Sequence, residues 1–299
     1  MPVALMCRVL GVSVSGYYAW RKRTPSRRAQ ANALLSEQIR QVHRESRGTY
    51  GSPRIHAELR ARGQRCNRKR IARLMRLQQI QGKCRRRKRV VTTDAKHNLP
   101  VAANLLDQHF VATAPNQKWL ADITYLPTQE GWLYLAGVLD LFSRKFVGWA
   151  MAATMTTELV SQALQMALQT RKPEWGLLHH SDRGSQYASH EYQTLLKAHH
   201  MVVSMSRTGN CYDNAVMESA WGTLKTELAD DARQLLWNTR QQAKSDVFCY
   251  LEGFYNRHRR HSALGYLSPE QFEQQFLDSQ HTATYSAGLA ASGEGAAVS

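Results

Sequence analysis

Apolar and aromatic residues near the middle of the chain alternate with polar positions in the way that is typical of β-strands. The pattern predicts three strands, over 119–126, 132–140 and 145–151. Residues 127–131 begin with proline and end with glycine, so a turn is expected between the first two strands. Because consecutive strands with short connections pair antiparallel, the three strands are expected to form a meander.

Helical and strand patterns alternate after this meander. Apolar residues three and four positions apart predict helices, and short apolar runs between them predict strands. In chain order these are a helix over 156–170, a strand over 177–181, a helix over 191–198, a strand over 201–205 and a helix over 214–228. The order βββ-α-β-α-β predicts an α/β fold with a mixed five-stranded sheet and flanking helices. Glycine and asparagines in 207–213 predict a mobile loop before the last helix.

Residues 36–80 have the pattern of two or three short helices. Ser52 and Pro53 suit a helix start, and Asn67 can cap the helix that follows. That helix has an apolar edge and an opposite basic edge, made respectively by Ile71, Leu74 and Met75 and by Lys69, Arg73 and Arg76. This is a helix-turn-helix pattern, and its basic edge either is merely solvated or binds DNA.

Charge favours the DNA-binding interpretation. The chain has a formal net charge of +17 and a pI near 10.0, which indicates a polyanionic partner such as nucleic acid. Residues 1–97 hold 25 Lys and Arg against 4 Asp and Glu, a net of +21, whereas residues 98–299 hold 15 against 19, a net of −4. Two domains with different tasks are therefore expected. Between them lies a basic linker suited to phosphates, which contains Arg85, Arg86, Arg87, Lys88 and Arg89.

Several classes of protein are excluded by the sequence. No run approaches the roughly 18 apolar residues of a membrane span, and the start lacks the features of a signal peptide. The 5 cysteines are scattered and form no C-x-x-C pair, so neither disulfides nor a zinc site are expected. We expect a cytoplasmic protein without membrane contact. The composition of 277–299 predicts a disordered tail, and the start resembles the remainder of a larger helical element.

Three acidic residues fall where a mixed α/β domain gathers side chains. Asp122 lies inside an apolar strand, Asp182 follows a later strand, and Glu218 lies in the first turns of the helix after the mobile loop. A carboxylate buried without a partner costs several kcal/mol, so Asp122 requires a cation or a hydrogen-bond donor. Mg²⁺ meets this need, because it prefers oxygen ligands from a few carboxylates, waters and phosphates. Each acid taken alone could equally be an ordinary surface or salt-bridged residue.

Five motifs in order make residues 113–276 resemble the catalytic domain of bacterial insertion-sequence transposases, which are related to retroviral integrases. Exactly 35 residues separate Asp182 from Glu218, and Lys225 follows Glu218 by two helical turns. The helix-turn-helix segment also resembles the segment that precedes the catalytic core in this family. The motifs span 119–125, 140–149, 180–187, 213–225 and 255–269.

The resemblance implies a ribonuclease H-like fold and a transposase that cuts DNA and joins its 3′ end to a target. Asp122, Asp182 and Glu218 would be the catalytic residues and would hold two Mg²⁺ ions, for which Mn²⁺ would substitute. Lys225 would hold a DNA phosphate. No side-chain nucleophile is needed, and Asp140 is expected to be structural. Candidates for contact with the substrate or with the catalytic groups are His180, Asn214 and Arg259; His180 could equally be a satisfied histidine, and Arg259 could dock the C-terminal helices.

The expected domains follow from these elements. They are a truncated helical segment over 1–35, the helix-turn-helix domain over 36–80, the linker over 81–112, the integrase-like domain over 113–276 and the tail over 277–299. The expected partners are the element ends and target DNA, other copies of this chain, and an upstream reading-frame product or fusion. Two alternatives stay open, namely a catalytically silent DNA-binding subunit and a stand-alone nuclease of the same fold.

Overall fold

A computed structural model describes residues 2–84, 99–207, 211–229 and 236–293 of the chain. It divides into two compact units, Met1–Gly82 and Lys83–Ser299. The basic residues 85–89 lie outside the described part. The first unit contains the helices α1 (Val3–Val9), α2 (Val14–Lys22), α3 (Arg27–Glu45), α4 (Ser52–Ala61) and α5 (Arg68–Leu77).

Helices α3, α4 and α5 form the helix-turn-helix core of the first unit. The predicted apolar edge of α5 is buried, and the Asn67 side chain caps this helix by accepting a hydrogen bond from the Lys69 N–H at 2.8 Å. The start of α4 differs slightly from the expectation, since Gly51 is the N-cap and Ser52 is already helical. The core is completed by Ile39 and Val42 of α3 and by Ile55 and Leu59 of α4.

The second unit is built on one mixed sheet with the strand order β3-β2-β1-β4-β5. The first three strands form the expected antiparallel meander, and β4 and β5 continue the sheet in parallel with β1. This is the expected ribonuclease H-like α/β arrangement. The strands are β1 (Lys118–Thr128), β2 (Gly131–Asp140), β3 (Phe146–Ala152), β4 (Leu178–Ser181) and β5 (Val202–Met205).

Helices flank this sheet and supply its hydrophobic core. The largest contact is made by α6, which packs its buried face on β2 and β3. A π-helical turn, Leu251–Tyr255, extends α10. The helices are α6 (Thr157–Arg171), α7 (Ser185–Ala188), α8 (His190–Ala198), α9 (Ala215–Leu228), α10 (Arg240–Tyr250) and α11 (Pro269–Gly293).

The C-terminal helix departs from the expectation. The predicted Ser268 capping box is present, because Ser268 Oγ accepts from the Gln271 N–H at 3.2 Å and Gln271 Oε1 accepts from the Ser268 N–H at 3.1 Å. However, α11 continues to Gly293, whereas composition predicted disorder from residue 277. The alanines of this segment favour a helix, and the sequence interpretation gave them too little weight.

No single helix among the described residues is both long and apolar enough to cross a bilayer, although the bent pair Val3–Val9 and Val14–Glu45 meets the length and composition requirements when taken together.

The absence of a side chain at Gly148 allows β3 and α6 to approach closely. A Cβ at this position would lie 2.1 Å from the Ala163 carbonyl oxygen and 2.8 Å from the Ala167 Cβ. Both are atoms of the helix itself, so no flexible side chain can move away to make room.

We therefore expect Gly148→Ala to destabilise the second unit by at least about 2 kcal/mol, the scale of overpacking in a close-packed core. Urea unfolding followed by circular dichroism measures this. Gly253→Ala is the matched control, because a Cβ there has no neighbour within 4 Å. Equal unfolding midpoints for the two variants would contradict the close packing of β3 on α6.

Candidate active site

Strand register brings Asp122 and Asp182 to the same edge of the sheet. Strands β1 and β4 run parallel, with Ala121 opposite Ser181. Asp122 is the next residue of β1 and Asp182 directly follows the end of β4, so the two occupy neighbouring positions. The Asp182 carboxylate accepts a hydrogen bond from the Gly184 N–H at 2.9 Å, which holds the turn after β4.

Helix α9 carries Glu218 and is held to the sheet by Trp221. The Trp221 indole N–H donates to Asp122 Oδ2 at 3.1 Å, and its ring packs on Phe146 with centroids 5.1 Å apart. Gly137 lies opposite Asp122 on β2, and a Cβ there would lie 2.5 Å from the Trp221 ring. Gly137 thus leaves room for the tryptophan. Sequence analysis missed Trp221, although its position three residues after Glu218 places the two on one helix face.

The three acids are electrostatically coupled. Burial raises the pKa of Asp122 well above its ordinary value of 3.8, and the nearby Asp182 and Glu218 carboxylates raise it further. Hydrogen bonds from the Ile123 backbone and the Trp221 indole oppose this rise. Glu218 itself is exposed at the start of α9. The structure thus brings the three predicted acids within electrostatic reach of one another.

The three acids offer the kind of ligand that a hard divalent cation prefers. All three groups offer carboxylate oxygens, and their mutual repulsion falls when a cation lies between them. Among the described residues, no three His, Cys, Asp or Glu side chains lie close enough to hold one ion together.

Lys225 lies beside this acidic cluster. Its Nζ lies 4.6 Å from the centroid of the Tyr125 ring, on the strand that carries Asp122. Burial lowers the pKa of Lys225 to about 8, and the Asp122 carboxylate opposes that shift. The half-buried cation is consequently sensitive to pH near neutrality.

Asp213 fixes the segment that leads into α9. Its buried carboxylate accepts hydrogen bonds from the Arg207 backbone at 2.8 Å, from the Arg207 guanidinium at 2.8 and 3.0 Å, and from Asn104 at 2.9 Å. These hydrogen bonds hold the pKa of Asp213 far below its usual range, with the Arg207 side chain the main cause. Asn214 follows, and its buried Oδ1 has no hydrogen-bond partner within the described residues. It remains a candidate for substrate contact.

His180 does not face the acids. Its ring is buried, with Nδ1 2.8 Å from Ser204 Oγ and Nε2 3.1 Å from Ser206 Oγ. Burial lowers its pKa to about 4, so the ring is neutral at pH 7. The structure therefore supports the satisfied histidine and not the substrate contact, because both ring nitrogens lie within hydrogen-bond distance of serine hydroxyls on and directly after β5.

Arg259 is likewise not placed for DNA contact. Its buried guanidinium donates to the Glu227 carboxylate at 2.7 and 2.8 Å, and the Tyr250 hydroxyl donates to the same carboxylate at 2.8 Å. Although burial lowers the pKa of Arg259, the hydrogen bonds to Glu227 raise it overall. Of the two predicted roles, the structure supports docking of the C-terminal helices, because the ion pair joins α9 to the segment after α10.

Asp140 is held at the end of β2 by structural contacts. Its buried carboxylate accepts from the Asn116 N–H at 2.7 Å, the Phe142 N–H at 2.8 Å and the Trp119 indole at 3.3 Å. Burial raises its pKa, and these backbone hydrogen bonds oppose the rise. None of these partners belongs to the catalytic candidates.

The candidate DNA-binding residues are only partly described. Lys69, Arg73 and Arg76 are all exposed on α5, opposite its buried edge. The candidates Arg85, Arg86, Arg87, Lys88 and Arg89 lie outside the described residues.

Family models match both parts of the chain. Residues 112–211 match the family model described as an integrase core domain, and residues 199–269 match a second model with the same description. Residues 29–88 match a model described as an HTH-like domain. The class defined by the fold and the site is thus that of integrase-core proteins with a helix-turn-helix domain.

Individual relatives cover nearly the whole chain. The 31 kDa uncharacterized protein of insertion element IS600 from Shigella sonnei is 49% identical over 91% of this chain and 98% of that protein. The transposase InsF for insertion sequence IS3fB from Escherichia coli K12 is 46% identical over 92% of this chain and 95% of that protein. The chain belongs to this family of IS3-type insertion-sequence transposases.

Solved structures that match part of the chain include a viral intasome and a viral integrase core domain. The simian T-cell lymphotropic virus intasome, in complex with PP2A regulatory subunit B56 gamma, gives a TM-score of 0.45 at 15% identity over 79% of this chain and 74% of the viral chain. The HTLV-2 integrase catalytic core domain, in complex with magnesium, gives a TM-score of 0.40 at 17% identity over 55% of this chain and 99% of that domain.

Proposed function

We propose that the chain is a metal-dependent polynucleotidyl transferase that cleaves DNA at the ends of an insertion element and joins the freed 3′ ends to target DNA. The observation that carries this proposal is the placement of Asp122 beside Asp182, with Glu218 of α9 within electrostatic reach of Asp122, in a chain of the transposase family. Asp122, Asp182 and Glu218 are the proposed catalytic residues.

The same three carboxylates are the proposed ligands of two Mg²⁺ ions, or of Mn²⁺ in their place. When bound, these ions would activate the attacking oxygen and stabilise the leaving 3′ oxygen. The chain contributes the orientation of the ligands: the Trp221 indole fixes Asp122 Oδ2, and the Gly184 N–H fixes Asp182 Oδ1. The Asp213 network holds the start of α9, and with it Glu218.

DNA binding is proposed for both basic regions. On α5 the exposed cations Lys69, Arg73 and Arg76 are suited to phosphate contacts, and the basic run 85–89 of the sequence adds further positive charge. Joining two element ends requires two active sites close together, so we propose an assembly of several copies. We also propose a contribution from an upstream reading-frame product, and action on DNA in the bacterial cytoplasm.

A comparison of two Glu-to-Gln variants tests the proposed catalysis. Glu218→Gln is expected to abolish nicking of a labelled element-end duplex in Mg²⁺ while leaving its affinity for DNA unchanged. Glu191→Gln, which removes an exposed acid from α8, is expected to act like the natural chain. Equal nicking by the two variants would contradict the site. Cleavage without any joining would favour the stand-alone nuclease, and binding without cleavage would favour the silent subunit.

Lys225 is proposed to hold a phosphate next to the scissile bond. Its charge is lost as the pH rises through the pKa near 8. We expect Lys225→Met to slow joining at pH 7 by about tenfold or more, the scale of a charge-assisted hydrogen bond. The ratio of the natural rate to the Lys225→Met rate should fall between pH 7 and pH 9, whereas the ratio of the Lys225→Arg rate to the Lys225→Met rate should stay level. Single-turnover joining rates across this range provide the measurement, and a pH-independent first ratio would contradict the assignment.

A further inference from the structure

A cavity of about 540 Å³ opens beside Asp182 and takes no part in the chemistry described so far. Its volume lies within the range of about 300–1,000 Å³ that is usual for ligand sites. Its lining includes four aromatic side chains, those of Tyr125, Trp132, Tyr134 and Tyr187. Asp182 is the only charged residue among its lining residues, so the cavity suits a neutral ring and not a phosphate.

One of the aromatic residues that line this cavity is partly exposed. Trp132 is 48% exposed, although it packs edge-on against Tyr125 with ring centroids 4.8 Å apart. An exposed tryptophan on a rigid strand pair provides a stacking platform for a planar ring. Ser185 and Gln186 add hydrogen-bonding groups to the lining, which can meet the polar edge of such a ring.

Tyr187 supplies a second, independent sign of a ligand. It is 2% exposed, and its hydroxyl has no hydrogen-bond partner within the described residues. A buried hydroxyl without a partner costs free energy and is uncommon in folded proteins. Because this hydroxyl has almost no accessible surface, a ligand acceptor in the cavity would satisfy it only after a small shift of the Tyr187 ring in the cavity wall.

The position of the cavity links it to the DNA strand that would cross the acids. Asp182 belongs both to the cavity and to the acidic cluster, and Tyr125 contacts Lys225, the proposed phosphate-binding residue. A nucleotide with its base in the cavity would therefore place its phosphate between Lys225 and the acids.

We propose that this cavity binds a single unstacked nucleobase of the DNA substrate, held between Trp132 and the neighbouring tyrosines, so that the adjoining phosphate is presented to the acids. The inference rests on the proposed function, because it assumes that DNA crosses the acidic cluster. The base comes either from the element end or from the target, and both sources share the same chemistry.

The experiment measures DNA affinity in the Glu218→Gln chain with chelator present, so that no cleavage occurs. The first set of probes is a fluorescent element-end duplex with a mismatched nucleotide at each of the last few positions in turn, each paired with the same duplex carrying an abasic site there. The second set is an internal duplex with one bulged nucleotide or one bulged abasic site. We expect the unpaired base to bind at least about fivefold more tightly than the abasic site at one position, the lower end of base-stacking effects.

Variants then assign the preference to the cavity. In the Glu218→Gln chain, the further change Trp132→Ala should reduce the ratio of affinities for base and abasic site to less than about twofold. Trp132→Phe in its place should keep the preference for the base. Trp175→Ala, which removes a 79% exposed tryptophan outside the cavity, should leave it unchanged. A preference in the first probe set identifies the element end, and one in the second set identifies the target.

Equal affinity for base and abasic site at every position in both sets would overturn the proposal, as would a preference that survives in Trp132→Ala. Failure of the proposed function is seen separately. If the natural chain neither nicks nor joins DNA with Mg²⁺ or Mn²⁺ while the base preference is retained, the catalytic proposal fails and the base-binding cavity stands.

Discussion

Asp122→Asn is expected to reduce DNA cleavage and joining by at least about a thousandfold, because it removes a charged oxygen donor from the centre of the acidic cluster. The same change is expected to raise the melting temperature of the metal-free chain. Burial and the neighbouring acids raise the pKa of Asp122, so its ionised form opposes folding. Single-turnover assays and thermal unfolding in chelator measure the two effects on one preparation.

The effect of Asp122 on the free energy of unfolding depends on pH, and its sign follows from the raised pKa. Because the pKa of Asp122 is raised in the folded state, stability falls as the pH rises from the ordinary carboxyl value of 3.8 through the raised one. The Asp122→Asn chain should not show the decrease in stability that ionisation of Asp122 causes. A variant that is both inactive and less stable than the natural chain at pH 7 would contradict the account, because loss of structure would then explain the loss of activity.

Arg259→Met is expected to destabilise the second unit by about 3–5 kcal/mol, the usual cost of removing one partner from a buried ion pair. The Glu227 carboxylate would lose both hydrogen bonds from the guanidinium, while that from the Tyr250 hydroxyl remains. Urea unfolding provides the free-energy difference, and DNA affinity below the unfolding midpoint should stay close to that of the natural chain.

The double variant Glu227→Gln, Arg259→Met distinguishes the cost of an unpaired buried charge from the cost of lost side-chain packing. Because it removes both charges, it should recover part of the lost stability. A double variant less stable than Arg259→Met would contradict the assignment of the loss to an uncompensated charge. A large loss of DNA affinity in a stable Arg259→Met chain would restore the earlier hypothesis that this arginine contacts DNA.

The sequence contained most of the sheet and the acidic residues of the site. Strands such as 119–126 and 132–140 are recognised from the alternating or continuous apolar residues of their own sequence. Their bounds were therefore predicted within a few residues. Helix α5 was equally clear, because Asn67 and the three-and-four spacing of its apolar residues are local signals. The acids Asp182 and Glu218 were found through their spacing, which the resemblance made informative.

The remaining features depend on contacts between distant parts of the chain. His180 and Arg259 have ordinary sequence neighbourhoods, and only the packing of β5 against β4 and the pairing with Glu227 reveal that both are buried. Trp221 could be expected on the Glu218 face of its helix, but the hydrogen bond to Asp122 spans 99 positions. The cavity beside Asp182 gathers residues from β1, β2 and the turn after β4, and no single segment indicates it.

A joining assay tests the central claim most directly. The natural chain is incubated with a labelled element-end oligonucleotide that carries a free 3′-OH and with a plasmid target, in Mg²⁺, in Mn²⁺ or in chelator. The account predicts a covalent product of oligonucleotide and plasmid in either metal, and none in chelator. Salt-dependent binding of DNA with neither joining nor nicking in either metal would contradict it and would identify the chain as a DNA-binding subunit.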